Sequence, residues 1–410
     1  MRSRTLSLVV VWSCVATTQA SADVVGDWNQ KAVTFVESRQ MAPPHAERIM
    51  ALVHLAMFDA VNSIERRYRP GIVQLDPSAK ASSEAAAAAA AGTVLASLDP
   101  KTAVEMTGAI AASLTAISAG EAKSEGIRFG EAVALSVLKA RANDGSGAAD
   151  AYRPKTSPGV YVPTPTTVAS MWPSVRPFAM TSAAQFRPQA PIALQSEEWS
   201  TDYNEIKELG GRASVKRSTR QTEDARFWLA PGPAIYYPMV RQLAVAKNLG
   251  LLDRARFMAL IAVAKSDAFV AVFDAKYHYD FWRPITAIRN GDTDDNPRTE
   301  RDATWQPIEA TPMHPEYPCA HCIQSGSLAG VVKAMFGTMD IPEIAITSPT
   351  APGITHCWTS LESYADEVAN ARIWSGFHYR FSTRVGTQMG HQIGEYVVKN
   401  FMQPATAASR

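Results

Sequence analysis

The sequence predicts an all-α fold built as two helical bundles. Apolar residues recur at helical spacing through most of the long segments, and no stretch sustains an apolar/polar alternation. A single proline-rich segment divides the chain. With 410 residues, 46% of them hydrophobic and 19% charged, the chain is long enough for a large buried core. The net charge of +1 excludes a broad electrostatic footprint for nucleic acid or an anionic membrane surface. Any anion must therefore be held by a local cluster of cations.

The elements follow in chain order. Arg2 and Arg4, the apolar run Leu6–Ala16 and the small triplet Ala20-Ser21-Ala22 read as a signal peptide over residues 1–22, with Asp23 as the first mature residue. The apolar run is too short for a membrane span, so the expected location is periplasmic or secreted. An N-terminal bundle is expected over 23–150. In it, His45–Ile64 carries Ile49, Leu52, Val53, Ala56, Phe58 and Val61 at helical spacing behind Pro43-Pro44. Ser82-Ser83-Glu84 precedes the alanine run Ala85–Ala91, a helix that packs closely on another. Thr102–Ile117 and Glu121–Ala142 complete four helices before position 143.

Eight prolines between Pro154 and Pro191 forbid continuous helix, so 151–195 is expected to be a crossover. Helical pattern resumes near Glu197 and predicts a second helical domain over 196–405. Its helices are expected at Glu223–Leu229, Ile235–Lys247, Asp253–Trp282, Ser325–Phe336, Leu361–Trp374 and Thr383–Phe401. Pro284 stands where the third of these should stop.

Three short stretches in this second domain concentrate unusual residues. In Lys276–Pro284 (KYHYDFWRP) a lysine and an arginine lie seven apart, about two helical turns, so both emerge on one face. Phe273, Phe281 and Trp282 suggest a buried setting, and buried cations require an anionic partner. In Pro315–Cys322 (PEYPCAHC) a histidine stands where a helix begins, and a helix start offers free N–H groups to an anion. In Arg372–His378 (RIWSGFH) a continuous helix would put the two ends on different faces, whereas Ser375-Gly376 can break it and let them converge. His278 and His314 flank these motifs and are expected at the mouth of a site; His54 is expected in the core. Asp292 to Asn296 lacks the glycine and the distal glutamate of a calcium loop and reads as a polar turn.

Taken together, Lys276, Arg283, Pro318-Cys319-Ala320-His321, Arg372 and His378 resemble the three-part signature of the vanadium-dependent haloperoxidases and type 2 phosphatidic acid phosphatases, K-x6-RP, PSGH and SR-x5-H-x3-D. Phe281–Arg289, Thr311–Pro318 and Arg48–Asn62 are similar to the secreted bacterial haloperoxidase branch. The resemblance implies a vanadate cofactor, with Lys276, Arg283 and Arg372 on its equatorial oxygens, positions 319 and 320 contributing to the oxyanion seat, and a donor N–H at Ala320. It implies His378 as apical vanadium ligand and His321 as general acid–base. The implied reaction is oxidation of halide by hydrogen peroxide. The same pocket in the phosphatase branch acts on phosphate esters through a phosphohistidine at His378, and a degenerate member would bind an oxyanion without turning anything over. The expected partners are small molecules, and a homodimer is one expected assembly.

The motif is altered at four positions. Cys319 replaces serine, Ala320 replaces glycine, Ala371 replaces serine and Ser382 replaces the aspartate expected to orient the nucleophilic histidine. The Ala320 Cβ should forbid a strained backbone angle, and loss of the aspartate should weaken a phosphohistidine route. Three cysteines remain after Cys14 leaves with the signal peptide, so at most one disulfide forms. The expected pair is Cys322–Cys357, leaving Cys319 free in the pocket. Cys319–Cys322 would instead resemble a redox CxxC, but without its usual βαβ setting.

Overall fold

The computed structural model describes residues 23–405 apart from 79, 164 and 165. The expected signal peptide lies outside the described residues. Thirteen α-helices and one β-hairpin are present among them, so the fold is all-α in class.

The N-terminal region contains α1 (Val24–Ser38), α2 (Pro43–Glu65), α3 (Ser83–Leu98), α4 (Ala103–Ser113) and α5 (Glu121–Ala140), one helix more than the four expected. Asp23 caps the additional helix, α1, by accepting the Gly26 N–H. The alanine run does pack closely: α3 lies against α5, where a Cβ on Gly130 would collide with the Ala86 carbonyl. Among the described residues from 141 to 196 there is no α-helix and one 3-10 turn, at Trp172–Ser174. It is pinned from below by Asp267, whose carboxylate accepts the N–H groups of Phe178, Ala179 and Met180.

The remaining helices are α6 (Glu197–Leu209), α7 (Thr219–Phe227), α8 (Pro233–Ala246), α9 (Leu251–Tyr279), α10 (Pro284–Arg289), α11 (Ala320–Phe336), α12 (Leu361–Trp374) and α13 (Arg380–Asn400). Helix α9 is the central column; α2, α11 and α13 all pack on it. One apolar cluster runs without interruption from Val24 to Met402 and includes side chains from both halves of the chain. A smaller aromatic cluster of Trp199, Tyr203, Phe281, Trp282, Tyr317, Tyr379 and Phe381 lies behind the three motifs.

The hairpin corrects the expectation that no strand would form. β1 (Asp340–Ser348) pairs antiparallel with β2 (Ala351–Ser360). Ile344 and Ile346 alternate inward, but the register shifts between Asp340 and Ile344, so Ile341 falls out of phase and the alternation is too short to read.

Two features aim the helix ends at one place. Helices α11 and α13 approach closely along a seam of glycines; a Cβ at Gly390 or Gly394 would strike the carbonyl of Ile323 or Ser327. This contact sets the start of α11 beside the start of α13. The corner between α12 and α13 turns at Gly376, which has φ +79° and lies against the Gly210 backbone.

Candidate active site

Each functional side chain sits at an element end. Lys276 is in the last turn of α9, which stops at Asp280 in the left-handed conformation. Arg283 is the N-cap residue of α10. Glu316 precedes the cis Tyr317–Pro318 bond. Ala320 and His321 begin α11, while Arg372 lies near the end of α12 and His378 just beyond the Gly376 corner. The corner does what the sequence required: the N–H groups of Phe377 and His378 both reach back to the Arg372 carbonyl, closing the chain on itself.

These residues converge on one cavity of about 710 Å³. Arg372, His378, His321, His314, Ala320 and Gln324 line its inner wall, and most of the remaining lining is apolar. Lys276 and Arg283 stand directly behind that wall. Arg283 Nη1 is 3.3 Å from His378 Nε2 and donates to the Phe377 carbonyl, while its Nη2 meets His314 Nδ1 at 2.9 Å. Lys276 Nζ donates to the carbonyls of Pro315 and Glu316 at 2.9 and 2.7 Å. Arg372 Nη1 donates to the Trp228 carbonyl at 2.6 Å, and its Nε has no partner.

The charge balance is lopsided. Lys276, Arg283 and Arg372 are each at most 1% exposed, and Glu316 is the buried carboxylate among them. Burial lowers all three cations: Arg283 to about 10 and Arg372 to about 9, with Lys276 pushed well down by burial and then by Arg283. Three buried cations sharing one carboxylate leave positive charge that protein groups do not neutralise. An oxyanion would neutralise it, and the start of α11 adds free backbone N–H groups.

Glu316 is the residue that motif reasoning missed. Its Oε1 lies 2.7 Å from His378 Nδ1 and also accepts the Tyr379 N–H. It thus provides what the aspartate replaced by Ser382 would have provided. Ser382 does not share in this contact: its hydroxyl and Glu316 Oε2 are both buried without a hydrogen-bond partner. Burial raises Glu316 to about 7 against the opposing pull of Lys276 and Arg283. His378 is driven well below its ordinary value by burial and then by Arg283, Lys276 and Arg372, so its ring is neutral. With Nδ1–H donated to Glu316, the lone pair is on Nε2, where it accepts from Arg283 Nη1; ligation or attack through Nε2 requires that contact to be exchanged. His321 is likewise held neutral by burial and then by Arg372, and its Nε2 has no partner. The available sequence cue was a glutamate two residues after His314 in a stretch that already contained the motif.

Several other expectations are corrected or resolved. Cys319 pairs with Cys322, not Cys322 with Cys357; Cys357 is free and exposed on β2. The reason is local: Cys319 caps α11, so Cys322 lies one turn on, with Cα atoms 5.3 Å apart. The pocket therefore contains no free thiol at 319. Ala320 needs no unusual backbone angle, because it is the first residue of α11 and lies outside the left-handed region. Of the flanking histidines, His314 lines the cavity, whereas His278 packs on Tyr279 outside it. His54 is buried against Asn29, and Asp294 in the polar turn accepts from Trp199 and Thr299.

Comparison with known proteins bears on the fold and on the region of chain that holds these residues. The family model of the VCPO second helical-bundle domain matches residues 256–406, which include every cation and histidine of the site. This region of the chain resembles the vanadium-dependent haloperoxidase superfamily. It is 28% identical over 149 residues to vanadium chloroperoxidase of Curvularia inaequalis, covering 30% of this chain and 24% of that protein. The match thus spans about a quarter of that relative's length. The fold of the chain is similar to that of the first bacterial vanadium-dependent iodoperoxidase solved by crystallography, with a TM-score of 0.78 at 23% identity over 94% of this chain and 97% of the other. It is also similar to a bacterial vanadium-dependent chloroperoxidase in its apo form, with a TM-score of 0.67 at 16% identity over 88% and 94% of the two chains.

Proposed function

We propose that this enzyme is a vanadate-dependent peroxidase that oxidises halide with hydrogen peroxide. The observation that carries the reading is the cluster of three buried cations around one carboxylate at the wall of an open cavity. The residues fit a tetrahedral oxyanion, since Arg372 Nε and His321 Nε2 are buried polar atoms without partners. Lys276, Arg283 and Arg372 would hold its oxygens with charge-assisted bonds, the Ala320 N–H would add a donor, and His378 Nε2 would be the side-chain ligand. Bound vanadate would supply Lewis-acid activation of peroxide.

The chain's own residues do the rest. Glu316 fixes the His378 tautomer by accepting Nδ1–H, which leaves the lone pair on Nε2 beside Arg283 Nη1. Neutral His321 accepts a proton from hydrogen peroxide and returns one to the departing oxygen. The apolar walls limit water around these charges. The Cys319–Cys322 disulfide supports an oxidative role, because it leaves no thiol at the pocket for peroxide to consume. Export of the mature chain, directed by residues 1–22, is part of the same proposal and suits a compartment that preserves that disulfide.

One observation favours a second reading. The Glu316–His378 pair would also activate His378 to attack a phosphate ester, with His321 protonating the leaving alkoxide. The deciding experiment uses protein loaded with orthovanadate. Peroxide-dependent oxidation of iodide and bromide is measured in parallel with p-nitrophenyl phosphate hydrolysis by vanadate-free protein. Halide oxidation abolished in His378→Ala is the expected result. Hydrolysis inhibited by vanadate, with no halide oxidation, would replace the proposal with the phosphatase reading.

A further inference from the structure

A second cluster of metal-ligating side chains lies outside the anion pocket. Asp224 on α7, His356 on β2 and Glu367 on α12 bring one donor atom each to within 4.8 Å of one another. His356 is 2% exposed and Asp224 5% exposed.

The orientation of His356 is over-determined. Its ring stacks on Phe227 at 4.0 Å with an interplanar angle of 3°. Its Nδ1 lies 2.6 Å from Glu367 Oε1, and the Glu367 carboxylate also accepts the indole N–H groups of Trp228 and Trp358. Glu367 is thus committed to orienting the ring. With Nδ1 turned to Glu367, Nε2 faces Asp224 Oδ1. The two atoms are 3.6 Å apart, and Nε2 has no hydrogen-bond partner. That is beyond hydrogen-bond length, so neither atom satisfies the other. It is the edge of a coordination polyhedron: ligands about 2.1 Å from a tetrahedral ion sit about 3.4 Å apart. A carboxylate behind the far nitrogen of a ligating histidine is the usual support for such a ligand.

We propose that Asp224 Oδ1 and His356 Nε2, backed by Glu367, bind one divalent transition-metal ion, with zinc suited to this nitrogen–oxygen donor set and water completing the coordination. Arg220 Nε now lies 2.9 Å from Asp224 Oδ1 and its Nη2 4.0 Å from Glu367 Oε2. Its side chain is 61% exposed, so it can withdraw into solvent when the ion enters. The site is distinct from the oxyanion pocket yet joined to it: Trp228 donates its indole N–H to Glu367 and its carbonyl receives Arg372. The ion would therefore brace α7, β2 and α12 behind that arginine.

The test uses the full chain after chelator treatment, without vanadate. Zinc is titrated against a chromophoric chelator, and cobalt is added separately to read its visible spectrum. The expected result is one equivalent of zinc bound. Asp224→Asn should weaken it at least about tenfold and Glu367→Gln by about 10–100-fold, with both variants checked for folding by circular dichroism. Cobalt should give an absorption band that saturates at one equivalent in the wild-type protein, a readout that needs no variant. Absence of saturable zinc uptake overturns the proposal, as does uptake unchanged in folded Asp224→Asn.

Discussion

Glu316 determines what His378 can do. With the carboxylate ionised, His378 keeps its proton on Nδ1 and its lone pair on Nε2. Once Glu316 is protonated, that tautomer loses its partner. Burial raises Glu316 from an ordinary value of 4.5 to about 7. Activity of the vanadate-loaded protein should therefore rise with pH through a limb near 7. The sign for stability is opposite. A raised carboxyl holds its proton more tightly in the folded state, so its contribution is fully present below 4.5 and is lost as pH rises through about 7. Glu316→Gln retains an acceptor oxygen but removes the titration. Its expected effect is a loss of about 10–100-fold in kcat/KM and disappearance of the limb near 7, read from pH–rate profiles of both proteins. A limb that persists in the variant would assign that titration to another group.

At the scale of elements, the site is an assembly of helix ends. Helix α9 ends after Lys276, α11 starts at Ala320, and α12 ends after Arg372. Helix ends carry free backbone polar groups, so a buried anion is best held where several meet. The start of α11 is additionally locked by the Cys319–Cys322 disulfide, with Cys319 Sγ accepting the Cys322 N–H. Alkylation followed by peptide mass spectrometry checks that pairing. Among Cys319, Cys322 and Cys357, Cys357 alone should be labelled in native protein, and it should still be the only one of the three after unfolding without reductant. Labelling of Cys319 or Cys322 under those conditions would mean that the bond is not formed.

At the scale of the molecule, the two halves are tied through α2 and α9. Lys265 on α9 and Glu47 on α2 are both fully buried, with Nζ 3.3 Å from Oε1. Tyr237 donates to the other Glu47 oxygen, and Lys265 lies over the Tyr236 ring at 3.7 Å. Burial lowers Lys265 to about 8 despite Glu47. Breaking such a pair leaves a buried charge without its partner, so Lys265→Met should destabilise by about 3–5 kcal/mol. Adding Glu47→Gln should recover most of that loss, because replacing both partners removes the stranded charge. Urea denaturation of the two variants measures both. The two substitutions should couple strongly, since the groups share one contact.

The sequence alone determined the helical class and the main helices beyond residue 196, and it singled out the cations and histidines of the three motifs. Those features are local: apolar spacing, proline stops and short motifs are written within one or two turns of chain. It even marked the Ser375-Gly376 break, because a six-residue gap between Arg372 and His378 is incompatible with one face of a continuous helix. Only the tertiary structure decided which carboxylate orients His378, because Glu316 and His378 are 62 residues apart and meet through the packing of α11 on α13. Likewise it decided that Cys322 pairs with its near neighbour, since the start of α11 lies one turn away while β2 carries Cys357 on an exposed face. The hairpin escaped because its register shift interrupts the alternation that would have revealed it. Spacing along the chain identifies which groups can act; distance through space selects the partners that fix their charge and tautomer.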